Sequence, residues 1–301
     1  MILSQPAPPG LAGERADVAA ARLFGLSRTR AAELAQAGRI TIDGRRAAKS
    51  ARLEEGQSLA VDLPEPPDEP EPVVQLPIVH QDADLIVIDK PVGVAAHAGP
   101  GWAGPTVLGS LLAAGVTLAT GGPNERRGIV QRLDVGTSGL MMVAKSERAY
   151  SKLKQMFRSR EVAKTYHALV QGLPDPLAGT IDGPIGRLPG AFKFAVVAGG
   201  KPSVTHYELI EAFAGAALLE VGLETGRTHQ IRVHLAAVGH PLVGDPFYGG
   251  DPKLAARLGL ERQWLHAAKL EFDHPATGLP VRCESPRPSD LEAALGLLRA
   301  S

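Results

Sequence analysis

Residues 132–139 of this chain combine the residue types that carboxylate chemistry requires. They read Arg-Leu-Asp-Val-Gly-Thr-Ser-Gly and place Asp134 two positions after Arg132, between the apolar segments 129–130 and 140–144. A nearby guanidinium favours the ionised form of a carboxylate, which suits a nucleophile better than a proton donor. An aspartate in a Gly/Ser/Thr turn more often hydrogen-bonds its own backbone, so the loop by itself leaves both interpretations open.

Other chemical roles for Asp134 fit the sequence less well. The loop lacks the Asp-Thr-Gly motif of aspartic proteases, and no second copy supplies a partner carboxylate. An aspartyl phosphotransferase needs a second acid two residues further on, where Gly136 stands. A calcium loop would need several more oxygen ligands at alternate positions. The sequence therefore favours none of these three protein classes.

The histidines and the cysteine do not indicate a metal site. His229 and His234 lie five residues apart, whereas a helical zinc pair needs a spacing of four with a glutamate between. The single cysteine, Cys283, excludes an internal disulfide and a multi-cysteine metal site. The sequence also contains neither a dinucleotide fingerprint nor a P-loop. We predict a protein with no metal and no small-molecule cofactor.

The charge distribution is uneven although the formal net charge is zero. Residues 14–52 contain nine Arg and Lys against four Asp and Glu, and residues 62–71 contain five acidic residues and no basic one. A nucleic-acid-binding protein is expected to be basic, because its cations displace the counterions of the phosphates. The neutral total argues against such a partner, but the basic N-terminal segment allows one.

Composition divides the chain into four predicted segments. Residues 1–13, rich in Pro, Gly and Ala, are expected to be a flexible tail, and residues 14–62 a small α/β module. Residues 63–75 form a Pro-rich acidic linker, and residues 76–301 a larger domain. No apolar run approaches the roughly 18 residues of a membrane span, and the N-terminus lacks a secretory signal. We expect a cytoplasmic protein with no membrane partner.

Local patterns predict the elements that must position the loop. In the small module, helices around 17–24 and 28–37, the second capped by Ser27, precede a hairpin turned by Asp43-Gly44. In the larger domain, strands are predicted at 85–88, 165–170 and 204–210, and a helix at 147–160. A short helix follows Thr228 and stops at Gly239. The mixture predicts an α+β domain built on a mostly antiparallel sheet.

Several longer motifs are more specific than the loop. They read, in chain order, DLIVIDKPVGVAAHAG at 84–99, RLDVGTSGLMMVAKS at 132–146, KTYHALVQG at 164–172, KPSVTHYELI at 201–210, LETGRTHQIRVHLAAVGHPLVGDPFYGG at 223–250 and LHAAKLEFDHPATG at 265–278. Over residues 76–285 the chain resembles the RluA family of pseudouridine synthases, in particular its RluD-like branch. The N-terminal module resembles the RNA-binding fold named after ribosomal protein S4. The resemblance implies a pseudouridine synthase domain preceded by an S4-like domain.

The resemblance assigns expected roles to four residues. Asp134 matches the catalytic aspartate, and Arg132 the arginine that helps to displace the flipped uridine. Tyr166 matches the tyrosine that lies against the target base and takes part in proton transfer. Arg232 matches the arginine that pairs with the aspartate. Gln131 departs from the family, which usually has histidine there, and we expect this to tune activity rather than abolish it.

Further residues are predicted to contact RNA. Lys164 and His229 belong to matching motifs, and Arg227 and Thr228 open a helix whose backbone N–H groups could bind a phosphate. Simple capping of that helix by Thr228 is an equally good interpretation. In the S4-like module, a phosphate-binding face or an ordinary solvated face would be formed by Arg28, Arg30, Arg39, Arg45 and Arg46. His97, His206 and His266 are expected to orient loops.

The implied reaction is the isomerisation of uridine to pseudouridine within RNA. The uracil N1–C1′ bond breaks and the base rejoins through C5, with Asp134 attacking C1′, adding at C6 or acting as a base at C2′. The branch implies large-subunit ribosomal RNA or a ribosomal precursor particle as substrate. Transfer RNA and a non-catalytic assembly factor stay open as alternatives, whereas a glycoside hydrolase would lack its paired carboxylate.

Overall fold

A computed structural model of the chain describes residues 2–8, 11–24, 28–48, 51–63, 72–99, 102–188 and 193–300. The chain divides into two compact units, Met1–Pro70 and Glu71–Ser301. The strands are β1 (Ile2–Pro6), β2 (Ile40–Ile42), β3 (Arg45–Arg46), β4 (Ser58–Asp62), β5 (Ile78–Gln81), β6 (Leu85–Lys90), β7 (Ser138–Ala144), β8 (Ala163–Gln171), β9 (Ala178–Asp182), β10 (Ile185–Arg187), β11 (Phe194–Val196), β12 (Val204–Phe213), β13 (Ala216–Leu223), β14 (Leu265–Asp273) and β15 (Pro280–Glu284). The helices are α1 (Ala16–Leu23), α2 (Arg28–Gln36), α3 (Val107–Ala113), α4 (Glu147–Ser159), α5 (Gln230–Ala237), α6 (Pro252–Arg257) and α7 (Ser289–Arg299), with a 3-10 turn at Asn124–Arg126.

The N-terminal unit packs α1 and α2 against a four-stranded sheet with the order β1-β4-β2-β3. Its helices present mainly alanines to the core, which also contains Ile40, Leu59 and Val61 of the sheet. The hairpin β2–β3 turns at Asp43 and Gly44, whose φ angles of 49° and 76° are both left-handed. A two-residue turn of this type matches the twist of the strands, as the Asp-Gly dipeptide predicts.

The prediction of a flexible tail at 1–13 is wrong for residues 2–6. These residues form β1, which pairs antiparallel with β4 from Ile2 opposite Asp62 to Pro6 opposite Ser58. Pro6 is tolerated because β1 lies at the edge of the sheet, where one side of the strand needs no donor. The predicted linker 63–75 falls largely on residues outside the described ranges, as does Ser27.

The larger unit is built on a nine-stranded sheet. Eight of its strands follow the order β5-β6-β7-β14-β8-β13-β12-β9, and the ninth, β15, pairs with β14. Among the strand pairs of this sheet in the described ranges, only β14 and β7 run parallel, through His266 and Ala267 opposite Ser138 and Gly139. The expected α+β architecture on a mostly antiparallel sheet is therefore confirmed. Of the two apolar segments that flank the Asp134 loop, only 140–144 lies in a strand, because Ile129 forms just an isolated bridge with Val143. Segment 129–130 belongs to the loop leading to Asp134.

Both faces of this sheet are buried along β6 and β7, which explains the long apolar runs of these two strands. In β6, Ile86 and Ile88 pack in one core with α5, whereas Leu85 and Val87 pack in another with α4. A third cluster gathers α7 around Trp264, which is fully buried. None of the helices in the described ranges is both long and apolar enough to span a membrane.

We predict that Gly139→Ala destabilises the larger unit by about 2–4 kcal/mol, because the new methyl group overpacks a site with left-handed backbone. Gly139 has a φ of 110°, and a Cβ there would meet the Ala267 carbonyl oxygen at 2.3 Å. Gly115→Ala is the matched control, since Gly115 has a φ of 75° and open space around it. Thermal unfolding followed by tryptophan fluorescence measures both, and equal losses of stability would contradict the prediction.

Candidate active site

Asp134 lies in a cleft of about 690 Å³ in the larger unit. The loop before β7 contributes Asp134, and β8 contributes Tyr166. The turn before α5 contributes His229, and α5 itself contributes Arg232. The other lining residues are His97, Pro123, Arg126, Ile129, Val130, Gln131, Arg132, Leu133, Thr137, Tyr150, Lys154, Phe157, Arg158, Lys164, Leu223, Gly226, Arg227, Thr228, Gln230, Ile231 and Leu265. The three predicted catalytic residues therefore lie in one cleft although they are far apart in sequence.

Arg232 is a buried guanidinium shared between two carboxylates. Its Nε and Nη2 donate to the two oxygens of Asp245 at 2.7 and 2.9 Å, in a bidentate pair. Its Nη1 donates to Asp134 Oδ2 at 3.1 Å. The side chain of Asp245 has no exposed surface, whereas that of Asp134 is 17% exposed. Asp245 therefore fixes the guanidinium, and Asp134 keeps one edge open to the cleft.

The positive charge of Arg232 and the negative charges of Asp245 and Asp134 stabilise one another. Burial lowers the pKa of Arg232, but hydrogen bonds and charge from Asp245, and then from Asp134, outweigh burial and raise it overall. The charged guanidinium at hydrogen-bond distance holds and orients the Asp134 side chain. The arrangement therefore presents an oriented carboxylate oxygen, the group that a nucleophile or a base requires.

His229 faces the same carboxylate oxygen from the start of α5. Its Nε2 lies 3.8 Å from Asp134 Oδ2, and its Nδ1 lies 2.7 Å from the Tyr248 hydroxyl. Because an acceptor faces Nε2, we assign the ring proton there, so that Nδ1 accepts from Tyr248. Burial lowers the pKa of His229 despite the charge of Asp134, which favours the neutral ring.

The predicted capping of α5 by Thr228 is wrong. The N-cap residue is His229, with a left-handed φ of 57° and no hydrogen bond from its side chain to the helix. The turn is held instead by Gln230, whose Oε1 accepts from the Arg227 backbone N–H and from the Thr225 hydroxyl. A non-glycine residue with this backbone is strained, and the strain is tolerated where it directs a ring at the carboxylate.

Tyr166 and Lys164 project from β8 towards the cleft. Burial, followed by the charge of Asp134, raises the pKa of Tyr166, so its phenol is neutral. Burial lowers the pKa of Lys164 to about 8, and its Nζ lies 5.8 Å from the centre of the Phe157 ring. The two residues thus offer an apolar ring with a neutral hydroxyl and a cation near the same surface.

The loop carrying Asp134 is fixed by residues that the sequence did not indicate. The Gly93 N–H donates to Val135 O at 2.9 Å, and Arg262 donates through Nη1 to Gly136 O at 3.1 Å. Arg262 is itself held by Asp290 through bonds of 2.7 and 3.0 Å. These partners lie far from the loop in sequence, so only the fold reveals them.

Lys90 is a second buried residue that sequence analysis missed. It is fully buried at the end of β6, and its Nζ donates to Pro91 O and Val94 O, each at 2.9 Å. Burial lowers its pKa to about 7, and the charge of Asp134 acts in the opposite direction. Lys90 thus stabilises the loop whose Gly93 braces the Asp134 turn. Its place before a proline, at the end of an apolar strand, was the available signal.

The remaining predicted substrate contacts also line the cleft. Arg132 is exposed there, and Arg227 donates to Pro202 O at 3.3 Å through both Nε and Nη2. Gln131 has a buried Nε2 without a hydrogen-bond partner among the described residues. An unpaired buried donor costs about 1–3 kcal/mol, so a ligand acceptor at this position would be favoured.

His234 and the arginines of the N-terminal unit lie away from Asp134 in the sequence, and the structure gives their contacts or exposure. His234 is buried, and its two ring nitrogens are hydrogen-bonded to Thr205 Oγ1 and Gly183 O at 2.8 and 2.9 Å. Unlike His229, it therefore has no ring nitrogen directed at Asp134. Arg39 pairs with Asp62 at 3.2 Å. Arg45 and Arg46 are exposed on β3, and the side chains of Arg28 and Arg30 lie outside the described part. No contact with RNA follows from these positions alone.

Comparison with known proteins identifies consistent relatives. The family model for RNA pseudouridylate synthases matches residues 84–237. Over 301 residues the chain is 58% identical to a Mycobacterium bovis protein named as an uncharacterized RNA pseudouridine synthase, covering 98% of each. It is 42% identical over 306 residues to ribosomal large subunit pseudouridine synthase D of Pseudomonas aeruginosa, covering 97% of this chain and 94% of that protein. The solved structure of human RNA pseudouridylate synthase domain containing 1 matches with a TM-score of 0.59 at 27% identity, covering 79% of this chain and 98% of that one.

We predict that Lys90 makes stability rise with pH above neutrality. Its pKa is about 7 in the folded protein and about 10.4 in an unfolded chain, so between these values the unfolded state binds the extra proton. The free energy of unfolding should increase across this window by at most about 1.4 kcal/mol per pH unit. Lys90→Met, which keeps an unbranched side chain, should show a clearly smaller increase, because Lys164, whose pKa is about 8, still contributes. Urea unfolding at pH 7 and pH 9 measures the difference, and parallel profiles for the two proteins would refute it.

Proposed function

This chain belongs to the RNA pseudouridylate synthase family, and we propose that it isomerises uridine in large-subunit ribosomal RNA through the carboxylate of Asp134. The family membership makes the protein an isomerase that forms pseudouridine. The observation that carries the residue assignment is the cleft position of Asp134, whose Oδ2 receives a hydrogen bond of 3.1 Å from the buried Arg232. Tyr166 lines the same cleft.

The chemistry needs an ionised oxygen beside the ribose or the base. The N1–C1′ bond breaks, the uracil turns, and C5 bonds to C1′. C5 then loses its proton and N1 takes one up, so the product is an isomer of uridine. A carboxylate can attack C1′, add at C6 or remove the C2′ proton, and each of these routes requires the charged form. Arg232 supports all of them, because its hydrogen bond holds the Asp134 side chain in place. Tyr166, neutral and buried, is proposed to pack against the uracil and exchange a proton with it.

The charge of the cleft supports a polyanionic substrate. Seven of its described lining residues are Arg or Lys and one, Asp134, is acidic, in a chain whose formal net charge is zero. The cations come from several elements around the cleft, with Lys154 and Arg158 on α4 and Arg227 before α5. Such a cleft attracts phosphates and focuses their approach, and a neutral overall charge does not prevent this.

Two lining residues are proposed to assist the extrusion of the uridine. A target base leaves the helical stack at a cost of a few kcal/mol. Arg132 is exposed at the cleft and is proposed to fill the vacated space, where a guanidinium plane stacks well. Gln131 carries the unpaired Nε2 donor and is proposed to bind a substrate oxygen, which would relieve the cost of leaving that donor unpaired.

The substrate class is proposed from the relatives and the N-terminal unit. The Pseudomonas aeruginosa relative is named for the ribosomal large subunit and aligns with 97% of this chain, so its N-terminal part is included. We propose that the small N-terminal unit is an S4-like RNA-binding domain, with Arg45 and Arg46 exposed for phosphate contacts. We also place the reaction in the cytoplasm, where bacterial ribosomal RNA is made. Transfer RNA is the alternative substrate.

We predict that the purified protein converts specific uridines in unmodified large-subunit ribosomal RNA, and that Asp134→Asn abolishes conversion because the amide cannot supply the charged oxygen. Carbodiimide-based mapping of pseudouridine measures this on ribosomal RNA and on bulk transfer RNA in parallel. Asp273→Asn is the matched control, because Asp273 is an exposed aspartate at the end of β14. This control should be as active as the wild type.

Each outcome of the mapping has a definite meaning. Stops in ribosomal RNA that disappear only in Asp134→Asn support the proposed reaction, residue and substrate. Stops confined to transfer RNA would overturn the substrate but retain the residue. Conversion that persists in Asp134→Asn would overturn the role of Asp134. Absence of conversion on naked RNA and on ribosomal precursor particles alike would favour a binding-only assembly factor.

A further inference from the structure

We propose that an aromatic shelf beside Asp134 stacks an unpaired nucleobase adjacent to the target uridine. The shelf consists of the side chains of Phe194, His229, Phe247 and Tyr248. This inference rests on the proposed RNA reaction and adds a second base subsite, separate from the cleft in which Tyr166 would meet the uracil. The ligand class is the π face of any nucleobase rather than a particular base edge.

Phe247 is the outermost member of the shelf. Its side chain is 56% exposed, and among the aromatic residues in the described ranges it alone is exposed. Single exposed apolar residues are common on protein surfaces and by themselves indicate nothing. Phe247 differs because its ring lies 5.7 Å from the guanidinium carbon of Arg232, which itself contacts Asp134. An exposed ring at such a place presents a large apolar face where RNA must pass.

The backbone of Phe247 is fixed by the same carboxylate that holds Arg232. Asp245 Oδ1 accepts the backbone N–H groups of Phe247 and Tyr248 at 2.9 and 3.2 Å. The turn then closes through a bond of 3.1 Å from the Gly250 N–H to Asp245 O. A Cβ on Gly250 would lie 2.6 Å from that backbone oxygen, so the turn is tight. The exposed ring therefore projects from a turn that is already ordered. RNA binding does not have to order this backbone, so little conformational entropy is lost there on binding.

The rings of the shelf follow one another towards the carboxylate. The Phe194 and His229 ring centres lie 5.8 Å apart, and those of His229 and Tyr248 lie 5.6 Å apart, both edge to face. The Tyr248 hydroxyl accepts the Phe194 N–H at 3.3 Å and contacts His229 Nδ1 at 2.7 Å. These contacts occupy the ring edges of Phe194, His229 and Tyr248, the three less exposed residues of the shelf. The exposed face is left to Phe247.

Arg232 connects the shelf to the reacting group. Its guanidinium carbon lies 5.0 Å from the Tyr248 ring centre and 5.7 Å from that of Phe247, and its Nη1 contacts Asp134. A base stacked on Phe247 would therefore lie close to the uridine at Asp134. Extrusion of that uridine leaves its neighbours without stacking partners, and aromatic side chains commonly replace such partners. The cations of the cleft supply the phosphate contacts that a strand in this position requires.

The experiment measures binding of a short single-stranded RNA in which one uridine has four adenosines on each side. Phe247→Ala should weaken binding by about 5- to 100-fold, the usual effect of losing one base–aromatic stack. Phe247→Trp should bind at least as well as the wild type, and its indole fluorescence should be quenched on binding. Binding is read on unreacted RNA, so its result is independent of whether pseudouridine forms.

Matched variants separate stacking from general packing. Phe247→Leu keeps an apolar side chain without an aromatic face and should resemble Phe247→Ala. Leu279→Ala removes a side chain that is 66% exposed in the turn before β15, outside the cleft, and should bind like the wild type. RNA with an abasic site on the 5′ or the 3′ side of the uridine identifies the stacked base. One of these two RNAs should weaken wild-type binding but leave binding by Phe247→Ala unchanged.

The possible outcomes divide clearly. Coupling between Phe247 and one flanking base supports the shelf. Wild-type affinity in Phe247→Ala would overturn it, and so would equal losses from both abasic RNAs in the wild type and the variant. Coupling with the central uridine instead would assign Phe247 to the target base and overturn a separate subsite. A wild-type protein that shows the coupling but never forms pseudouridine would refute the proposed reaction while retaining the shelf.

Discussion

The site depends on a buried guanidinium that two carboxylates share. Arg232 cannot be buried without neutralisation, and Asp245 provides it with a bidentate pair that has no exposed surface. This pairing leaves Nη1 to hold Asp134 at 3.1 Å from the other side. Asp134 thus keeps a fixed position with an edge open to the cleft. Without Asp245, the buried arginine would keep only its contact with Asp134, and the guanidinium that orients Asp134 would no longer be fixed.

The sheet brings these groups together from separate parts of the chain. The parallel pairing of β7 with β14 places the Asp134 loop beside the segment that carries Arg262, and Arg262 in turn bonds to Gly136 O. The packing of α5 on the core places Arg232 and His229 opposite the loop. His229 adopts a left-handed backbone at that point, so part of the folding free energy is used to direct its ring at Asp134. The cleft is therefore a property of the whole larger unit.

Sequence alone was sufficient for the class of fold and for the residues within motifs. Asp134, Tyr166 and Arg232 were found through the family resemblance, and the structure brings them into one cleft. The residues that support them were missed, because Asp245 and Arg262 acquire their roles only from contacts with distant segments. A buried charge and its partner have no spacing rule in sequence, since the fold determines which residues meet.

The errors at the N-terminus and at α5 have related physical causes. A Pro- and Gly-rich composition predicted a tail at 1–13, but backbone pairing with β4 orders residues 2–6 regardless of their side chains. Thr228 has the better side chain for a helix cap, yet the turn held by Gln230 makes His229 the first cap residue. In both cases long-range contacts outweighed a local preference. Local preferences amount to about 1 kcal/mol or less and are readily overridden.

The most direct test of this account measures the single-turnover rate of pseudouridine formation by Asp245→Asn at saturating RNA, together with its RNA affinity. Asparagine retains the shape of aspartate but not the charge that fixes Arg232. The account predicts a rate constant lower by about 10- to 100-fold, because Asp134 loses its orientation, while the dissociation constant for RNA changes little. A folded variant with the wild-type rate constant at saturation would contradict the claim that the shared guanidinium positions the catalytic carboxylate.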